Sequence, residues 1–359
     1  MKSFSLFEYA LLGIMLLMFG CGSGSDKNEE QKKQALEEAE NARLEKTVGP
    51  QARSFFKPLP AIADNPANPV SPEKVALGRQ LYFDTRLSKD QTQSCNTCHD
   101  LASYGVDHKK VSSGDAGKIG DRNSPTVYNS ALHAMQFWDG RAGDVEEQAG
   151  MPILNADEMN IPEEKFLVQR LKAVEGYRKM FAAAFPDDPD PVNYQNLRKA
   201  IAAFERTLIL SSRFDDYLKG NSGALSYAEK KGLREFMDSG CITCHTGSLL
   251  GGNIFQKFGV YHDYWTYTES ENVDEGRAKE TSNENDKYMF KVPSLRNVSQ
   301  TYPYFHDGNV EQIEDAIRII AKVNLNKDLT DKQVSDIAAF LNSMTGDIPP
   351  EFAQVPDPI

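Results

Sequence analysis

The sequence has few cysteines, few histidines and no excess of positive charge. Its 359 residues include five cysteines, six histidines and two tryptophans, and 52 acidic residues outnumber 40 basic ones. The resulting net charge of -12 repels phosphate backbones, so nucleic acid is not expected as a partner. An acidic surface favours encounter with small basic proteins, or it serves only to keep the protein soluble.

The placement of the cysteines is more informative than their number. Four of them belong to two short motifs with the pattern Cys-x-x-Cys-His, at residues 95–99 and 241–245, and the fifth is Cys21. No cysteine therefore remains for a disulfide framework. The motifs supply, in chain order, Cys95, Cys98 and His99, and then Cys241, Cys244 and His245.

Cys-x-x-Cys-His is the attachment signature of c-type haem. The two thiols add to the vinyl groups of the porphyrin, and the adjoining imidazole binds the iron. Structural zinc is the alternative, but it needs about four Cys or His ligands for each ion at closed spacing. The sequence therefore predicts two covalently bound haems, with His99 and His245 as the proximal iron ligands.

The amino terminus is typical of an exported protein. Residues 1–21 contain an apolar segment from Ala10 to Phe19, which has the length of a signal-peptide core and is too short to span a bilayer. Met18 to Cys21 resembles a bacterial lipobox, so we expect acylation of Cys21, with plain cleavage nearby as the alternative. Residues 22–54 are polar and charged and are predicted to form a flexible tether that is partly helical through residues 29–46. The predicted location is the periplasm, with the membrane contacted only through the lipid anchor.

The rest of the chain is predicted to be mainly helical. Ser71 before Pro72 is typical of a helix start, and Ser226 and Thr330 each open a capping-box pattern. Long alternating strand patterns are absent, and residues 123–157 and 249–303 are rich in Gly, Asn, Asp and Pro, as ordered loops are. The two cysteine motifs, 146 positions apart, divide the chain into two similar halves.

Several long segments resemble the bacterial di-haem cytochrome c peroxidase family. They are LGRQLYFDTRLS at 77–88, RNSPTVYN at 122–129, QFWDGRAGDVEEQAGMPILNADEM at 136–159 and FKVPSLRNVSQTYPYFHDG at 290–308. The resemblance implies two cytochrome-c-like helical domains, each with one covalent haem, joined by long ordered loops. We place an N-terminal peroxidatic domain at 55–215, a C-terminal electron-transfer domain at 216–350 and a tail at 351–359. It also implies reduction of hydrogen peroxide to water with electrons from a small periplasmic cytochrome or copper protein, and a homodimer.

The resemblance assigns roles to individual residues. Gln148 and Glu158 fall where the family keeps a catalytic glutamine and glutamate over the N-terminal haem, and a carboxylate there can relay a proton between the two peroxide oxygens. Trp138 matches the tryptophan that the family places between the haems for electron transfer. Asn123, Thr301 and Pro303 match positions that hold a calcium ion, which prefers oxygen ligands.

One departure from the family concerns the N-terminal haem. Many members have a histidine sixteen positions after the first motif, which binds the iron of the resting oxidised protein and must leave before peroxide binds. Here that position is Asp115. We expect this haem to be open when fully ferric, with His108 as the alternative ligand.

A second departure concerns the C-terminal haem. The family's axial methionine, fourteen residues after the histidine that matches His306, is replaced by Ile320. Met289 is the candidate replacement as sixth ligand, and Tyr302, Tyr304 or no ligand are the alternatives. Loss of the thioether is expected to lower the potential of this haem.

Two other functions are compatible with the motifs. A related di-haem branch oxidises residues of a partner protein during cofactor maturation, and the replacement at Ile320 and Asp115 favours it. A non-catalytic di-haem electron carrier is the other. Gln148 and Glu158 favour the peroxidase over both.

Overall fold

The computed structural model describes residues 23–359, so the predicted signal peptide and Cys21 lie outside the described residues. Residues 48–359 form one compact unit, and the described residues before Val48 belong to another. Within the described part, no helix combines the length and the apolar composition needed to cross a bilayer.

The described residues are mainly helical, as predicted, and contain fifteen α-helices and two short strands. The helices are α1 (Ser23–Phe55), α2 (Pro72–Tyr82), α3 (Cys95–Cys98), α4 (Val145–Gln148), α5 (Met151–Leu154), α6 (Glu164–Lys172), α7 (Glu175–Ala184), α8 (Tyr194–Glu205), α9 (Arg213–Leu218), α10 (Tyr227–Asp238), α11 (Tyr264–Thr268), α12 (Ala278–Thr281), α13 (Ile313–Leu325), α14 (Asp331–Asn342) and α15 (Pro350–Ala353). The strands β1 (Phe255–Lys257) and β2 (Met289–Lys291) pair antiparallel, with Phe255 opposite Lys291.

The predicted helix starts are confirmed. The Ser71 side chain accepts a hydrogen bond from the Lys74 backbone N–H, and Pro72 occupies the first turn of α2. Capping boxes begin α10 at Ser226 and α14 at Thr330. Each box satisfies two backbone donors that would otherwise lack a partner at the helix start.

Two helix pairs pack unusually closely, one in each half of the chain. A Cβ atom on Gly78 of α2 would lie 1.9 Å from the backbone oxygen of Ala200 in α8. A Cβ atom on Gly232 of α10 would lie 1.8 Å from the backbone oxygen of Asp336 in α14. Both crossings therefore require glycine, because any side chain would push the backbones apart.

The hydrophobic core follows these two helix pairs. In the first half, α2, α7 and α8 bury an apolar cluster that includes Leu77, Tyr177 and Leu197. In the second half, the rings of Phe236 and Phe340 meet at a centroid distance of 5.3 Å. The core thus fixes both helix pairs beside the two cysteine motifs.

Two of the predicted segment boundaries fall within helices of the structure. The segment predicted as a tether is helical from Ser23, and Val48 and Ala52 within α1 are buried. The packed region therefore starts before the expected residue 55. The expected boundary between residues 215 and 216 falls inside α9, where Asp215 forms a fully buried ion pair with Arg296 at 2.8 Å. Residues 249–303, expected as loop, contain β1, β2, α11 and α12.

Candidate active site

The first cysteine motif is held in a conformation that suits an iron-binding imidazole. Cys95 and Cys98 begin and end α3, and His99 follows directly. His99 Nδ1 lies 2.9 Å from the carbonyl oxygen of Pro125. Because a carbonyl only accepts, Nδ1 carries the proton and Nε2 keeps its lone pair for a metal. Burial lowers the pKa of His99, which also favours the neutral ring.

The second motif repeats this arrangement. His245 Nδ1 lies 2.7 Å from the carbonyl oxygen of Leu250, and burial lowers the pKa of His245. Cys241 and Cys244, like the two cysteines of the first motif, form no disulfide. Two thiols and one oriented neutral imidazole at each motif form the donor set of a c-type haem. The residues present therefore fit two haems, as the sequence predicts.

A cavity of about 420 Å³ opens beside the first motif. Cys95, Cys98 and His99 lie on its wall together with Gln148 and Glu158, the two residues predicted as catalytic. The structure thus brings together residues that are about 50 to 60 positions apart in the sequence.

Opposing influences act on the pKa of the Glu158 carboxyl group. Burial raises its pKa, whereas a hydrogen bond from Asn155 and the charge of Arg141 oppose that rise. Asn155 Nδ2 donates to Glu158 Oε1 at 2.7 Å, which also fixes the side-chain direction. Gln148 ends α4 and is half-buried. A carboxyl group with a raised pKa at a cavity wall is suited to accepting and returning a proton.

The Asp115 side chain is engaged by a neighbouring loop. Its carboxylate accepts hydrogen bonds from the Ser88 hydroxyl at 2.8 Å, the Asp90 N–H at 2.7 Å and the Thr92 hydroxyl at 2.6 Å. The Asp115 N–H in turn donates to the carbonyl oxygen of Glu158 at 2.7 Å. Burial raises the Asp115 pKa, but these hydrogen bonds outweigh burial and the net pKa is lowered.

Trp138 lies between the cavity and an aromatic cluster in the second half. Its ring lines the cavity, and its indole N–H donates to the carbonyl oxygen of Asn123 at 2.9 Å. The ring centroid of His306 is 6.3 Å away, and His306 stacks on Phe290 at 4.1 Å. The Asn123 N–H donates to the carbonyl oxygen of His306 at 2.8 Å. The backbone of Asn123 thus hydrogen-bonds both to the Trp138 ring and to the backbone of His306.

Met289 and Ile320 have different surroundings in the structure. Ile320 on α13 packs against the aromatic cluster of Phe258, Tyr264 and Phe290. Successive side chains of a strand point to opposite faces, so Met289 lies on the face of β2 opposite Phe290. Tyr304 is buried in a smaller cluster, and Tyr302 is exposed and stacks on His108 at 4.3 Å.

The residues predicted to hold calcium lie on two segments. Asn123 is buried, and its side-chain Nδ2 donates to the carbonyl oxygen of Lys109 at 2.9 Å. Pro303 is buried and Thr301 is half-buried. No cluster of three or more His, Cys, Asp or Glu suited to a metal ion occurs within residues that the structure describes. A calcium ion there would rely on neutral oxygen ligands.

Sequence reasoning missed two residues of the cavity wall. Lys291 and His133 both line the cavity, with Lys291 Nζ 2.8 Å from His133 Nδ1. His133 is a lone histidine outside both cysteine motifs, and its sequence context indicates only an ordinary surface or packing residue. The only signal was a lysine, Lys291, among apolar residues in the matched segment FKVPSLRN. This pattern does not indicate that Lys291 contacts His133.

The comparisons with known proteins agree with this arrangement. A family model for di-haem cytochrome c peroxidase matches residues 72–223. The chain is 42% identical over 301 residues to the cytochrome c551 peroxidase of Pseudomonas aeruginosa, covering 83% of this chain and 86% of that protein.

Two further similarities extend beyond the peroxidases. The chain is 33% identical over 308 residues to the methylamine utilization protein MauG of Methylophilus methylotrophus, covering 82% of this chain and 89% of that protein. The crystal structure of a MauG-like protein associated with microbial copper homeostasis matches with a TM-score of 0.73 and 30% identity, covering 83% of this chain and 97% of that one.

Proposed function

Because the chain belongs to the di-haem cytochrome c peroxidase family, we propose that it reduces hydrogen peroxide to water at the cavity beside the first cysteine motif. The observation that carries the proposal is the position of Gln148 and Glu158 on the wall of the same cavity as His99. Two protons and two electrons enter for each peroxide, and two water molecules leave.

The haem at Cys95 and Cys98 supplies the iron centre and the redox chemistry of this reaction. The Glu158 carboxylate takes a proton from one peroxide oxygen and delivers it to the other, which becomes the leaving water. Asn155 holds the carboxyl oxygen in place at 2.7 Å while the proton moves. The Gln148 amide orients the peroxide by hydrogen bonding.

Electrons are proposed to enter at the haem of His245 and to pass Trp138. The polarisable indole lies between the cavity and the His306 ring, which supports this assignment. The donor is a small redox protein, a cytochrome or a copper protein, and it meets an acidic chain of net charge -12. In this scheme residues 55–215 carry the peroxide site and residues 216–350 the electron-entry haem.

Other parts of the proposal concern the surroundings of the two haems. We place the protein in the periplasm, lipid-anchored at Cys21, with a calcium ion near Asn123, Thr301 and Pro303, and as a homodimer. Met289 is retained as the candidate sixth ligand of the second haem, although β2 directs it away from the cluster that contains Ile320. The first haem is proposed to be open when oxidised, because the Asp115 carboxylate is committed to hydrogen bonds with the 88–92 loop.

A second candidate function is oxidation of residues in a partner protein. Ile320 in place of methionine favours it, as does the 33% identity to a MauG protein. A non-catalytic electron carrier is the third candidate. Turnover of peroxide with a reduced small cytochrome separates the peroxidase from both.

The decisive variant is Glu158→Ala in the holoprotein. We expect kcat with peroxide to fall at least about 100-fold, since general acid–base catalysis typically contributes a factor of about 10² to 10⁴. Steady-state oxidation of a reduced cytochrome by peroxide measures the effect. Glu164→Ala, which removes an exposed carboxylate at the start of α6, is the control and should retain wild-type activity. Undiminished activity of Glu158→Ala would refute the proton relay, and an inactive wild type would favour the electron carrier.

A further inference from the structure

Lys291 is a buried lysine on the cavity wall. It is 6% exposed at the end of β2, and it borders the cavity that also contains Cys95, Cys98 and His99. Its ammonium group donates to His133 Nδ1 at 2.8 Å and to the carbonyl oxygen of Met135 at 3.2 Å. A lysine ammonium has three N–H donors, so one donor remains.

His133 has a donor of its own, on the side of the imidazole ring away from this ammonium. Because Nδ1 accepts from Lys291, the neutral ring carries its proton on Nε2. His133 Nε2 is buried and has no hydrogen-bond partner in the described part of the chain. Burial and the neighbouring Lys291 charge lower the pKa of His133, which favours this neutral form.

The ammonium also lacks a carboxylate partner. Of the described residues, no Asp or Glu lies within 4.0 Å of Lys291 Nζ. The nearby Asp139 carboxylate is engaged by Arg122 at 2.5 Å and by Arg141 at 2.8 Å. Burial lowers the pKa of Lys291 to about 7, because the described carboxylates compensate its charge poorly, and a buried N–H without an acceptor is also costly.

The other cations on this wall differ from Lys291. Arg122 and Arg141 share the Asp139 carboxylate, and Lys279 lies 3.2 Å from Asp274 and is 46% exposed. Lys291 is thus the buried cation that the described carboxylates leave uncompensated at this wall. The complementary ligand is a carboxylate that arrives with the contents of the cavity.

We propose that Lys291 and His133 together bind the propionate carboxylates of the haem attached at Cys95 and Cys98. A c-type haem carries two such propionates, so one can supply the negative charge that Lys291 lacks and the other the acceptor that His133 Nε2 lacks. The inference rests on the first haem site and not on peroxide turnover, so it survives even if the catalytic proposal fails. Lys291 and His133 are positioning residues for the haem.

The variant Lys291→Met in the holoprotein tests the proposal by redox titration. A cation beside the propionate favours the ferrous haem, which carries one positive charge less than the ferric haem. We expect the ferrous-to-ferric ratio of the first haem at a given potential to fall about tenfold, or about 59 mV for a one-electron couple, as for loss of one unit charge at an effective dielectric constant of about 20. Lys291→Arg should restore the ratio.

A second readout distinguishes binding from a simple effect of charge. Resonance Raman spectra report the bending mode of haem propionates, and this band should shift in both Lys291→Met and His133→Leu. The second variant removes a donor without changing the charge of the neutral ring. It also keeps the test valid if Lys291→Met does not fold.

Lys279→Met is the matched control, since it removes a lysine from the same wall whose charge is already paired with Asp274. We expect its redox titration and its propionate band to match those of the wild type. An unchanged propionate band in both test variants would overturn the proposal, whatever the potential. A shift confined to the haem of His245 would overturn the assignment to the first haem.

Discussion

Asp115 links two loops next to the peroxide cavity. Its carboxylate binds the 88–92 segment, and its backbone N–H binds the carbonyl oxygen of Glu158. Asp115, which occupies the position where many family members have a histidine, therefore connects two loops in this chain. It connects the backbone of Glu158, the residue proposed to relay protons, to the loop that precedes the first cysteine motif.

Asp115→Ala should lower the free energy of unfolding by about 1–3 kcal/mol, because the hydroxyl of Ser88 and the donors of Thr92 lose their acceptor. The pKa of Asp115 is lowered in the folded protein, so the stabilisation is complete above the unfolded-state pKa of about 3.9 and is lost as the pH falls through the lower folded-state pKa. Chemical denaturation of the holoprotein at neutral and acidic pH measures both effects.

The control for this variant is Asp187→Ala, which removes an exposed aspartate on the loop after α7. It should change the free energy of unfolding by less than about 0.5 kcal/mol. Equal stability of Asp115→Ala and wild type at neutral pH would contradict the role of Asp115 as a link between the loops.

Residue types alone located part of this site. Cys95, Cys98 and His99 follow a motif whose chemistry requires that spacing, so their role was predictable. The hydrogen bonds of Asp115 and the pairing of Lys291 with His133 were not, because they join segments up to 158 positions apart. No local pattern encodes such a contact.

Among the elements, two glycine-mediated helix crossings define the frame of the haem sites. In the α2–α8 crossing, the helix with Gly78 precedes the first cysteine motif and its partner helix follows the motif. In the α10–α14 crossing, the helix with Gly232 likewise precedes the second motif and its partner follows it. Both place a helix backbone in direct contact with another. The equivalent position of the two crossings supports the similarity of the two halves that the motif spacing indicates.

Gly78→Ala should lower the free energy of unfolding by about 3 kcal/mol or more, because its Cβ would lie 1.9 Å from the Ala200 oxygen and neither backbone can move without disturbing the core. Gly232→Ala should have a similar effect for the same reason. Denaturant unfolding of the holoproteins, followed by circular dichroism, measures the loss.

Gly223→Ala is the comparison for these helix variants. Its added Cβ would meet no atom closer than the Asn221 side chain at 3.4 Å, so stability should remain near that of the wild type. Wild-type stability of Gly78→Ala would show that the helices separate at little cost and that the crossing is not rigid.

The helix starts were predictable because capping is a local interaction. Ser226 and Thr330 reach a donor only three residues away, so a four-residue pattern suffices. The short strands β1 and β2 were missed, since three-residue strands carry no alternating pattern and form only because distant loops meet.

At the scale of the whole molecule, a buried ion network joins loops from both halves of the chain. Arg122 pairs with Asp139 at 2.5 Å and with Asp274 at 2.6 Å, next to Trp138. Arg277 donates to the carbonyl oxygen of Asp139 at 2.8 Å. The network fixes the loop that carries Trp138 and thereby the proposed path of the electrons.

The oxidised holoprotein should have one open haem. Asp115 is hydrogen-bonded to Ser88 and His108 is hydrogen-bonded to Tyr302 and stacked on its ring, so we expect neither residue to bind an iron held by His99. Electron paramagnetic resonance of the fully oxidised protein should therefore contain a high-spin signal from the first haem. Peroxide should react with the fully oxidised protein without prior reduction, because no histidine has to leave the iron first. Two low-spin signals, with His/His ligation at the first haem, would disprove this.

The two cysteine motifs, the mainly helical fold and the family were predictable, because each depends on residues close together in the chain. The residues that share the cavity with His99, the partners of Asp115, and the contact of Lys291 with His133 away from every described carboxylate came only from the fold. Burial, charge compensation and ring contacts depend on distances between segments far apart in sequence, and only the packed helices set those distances.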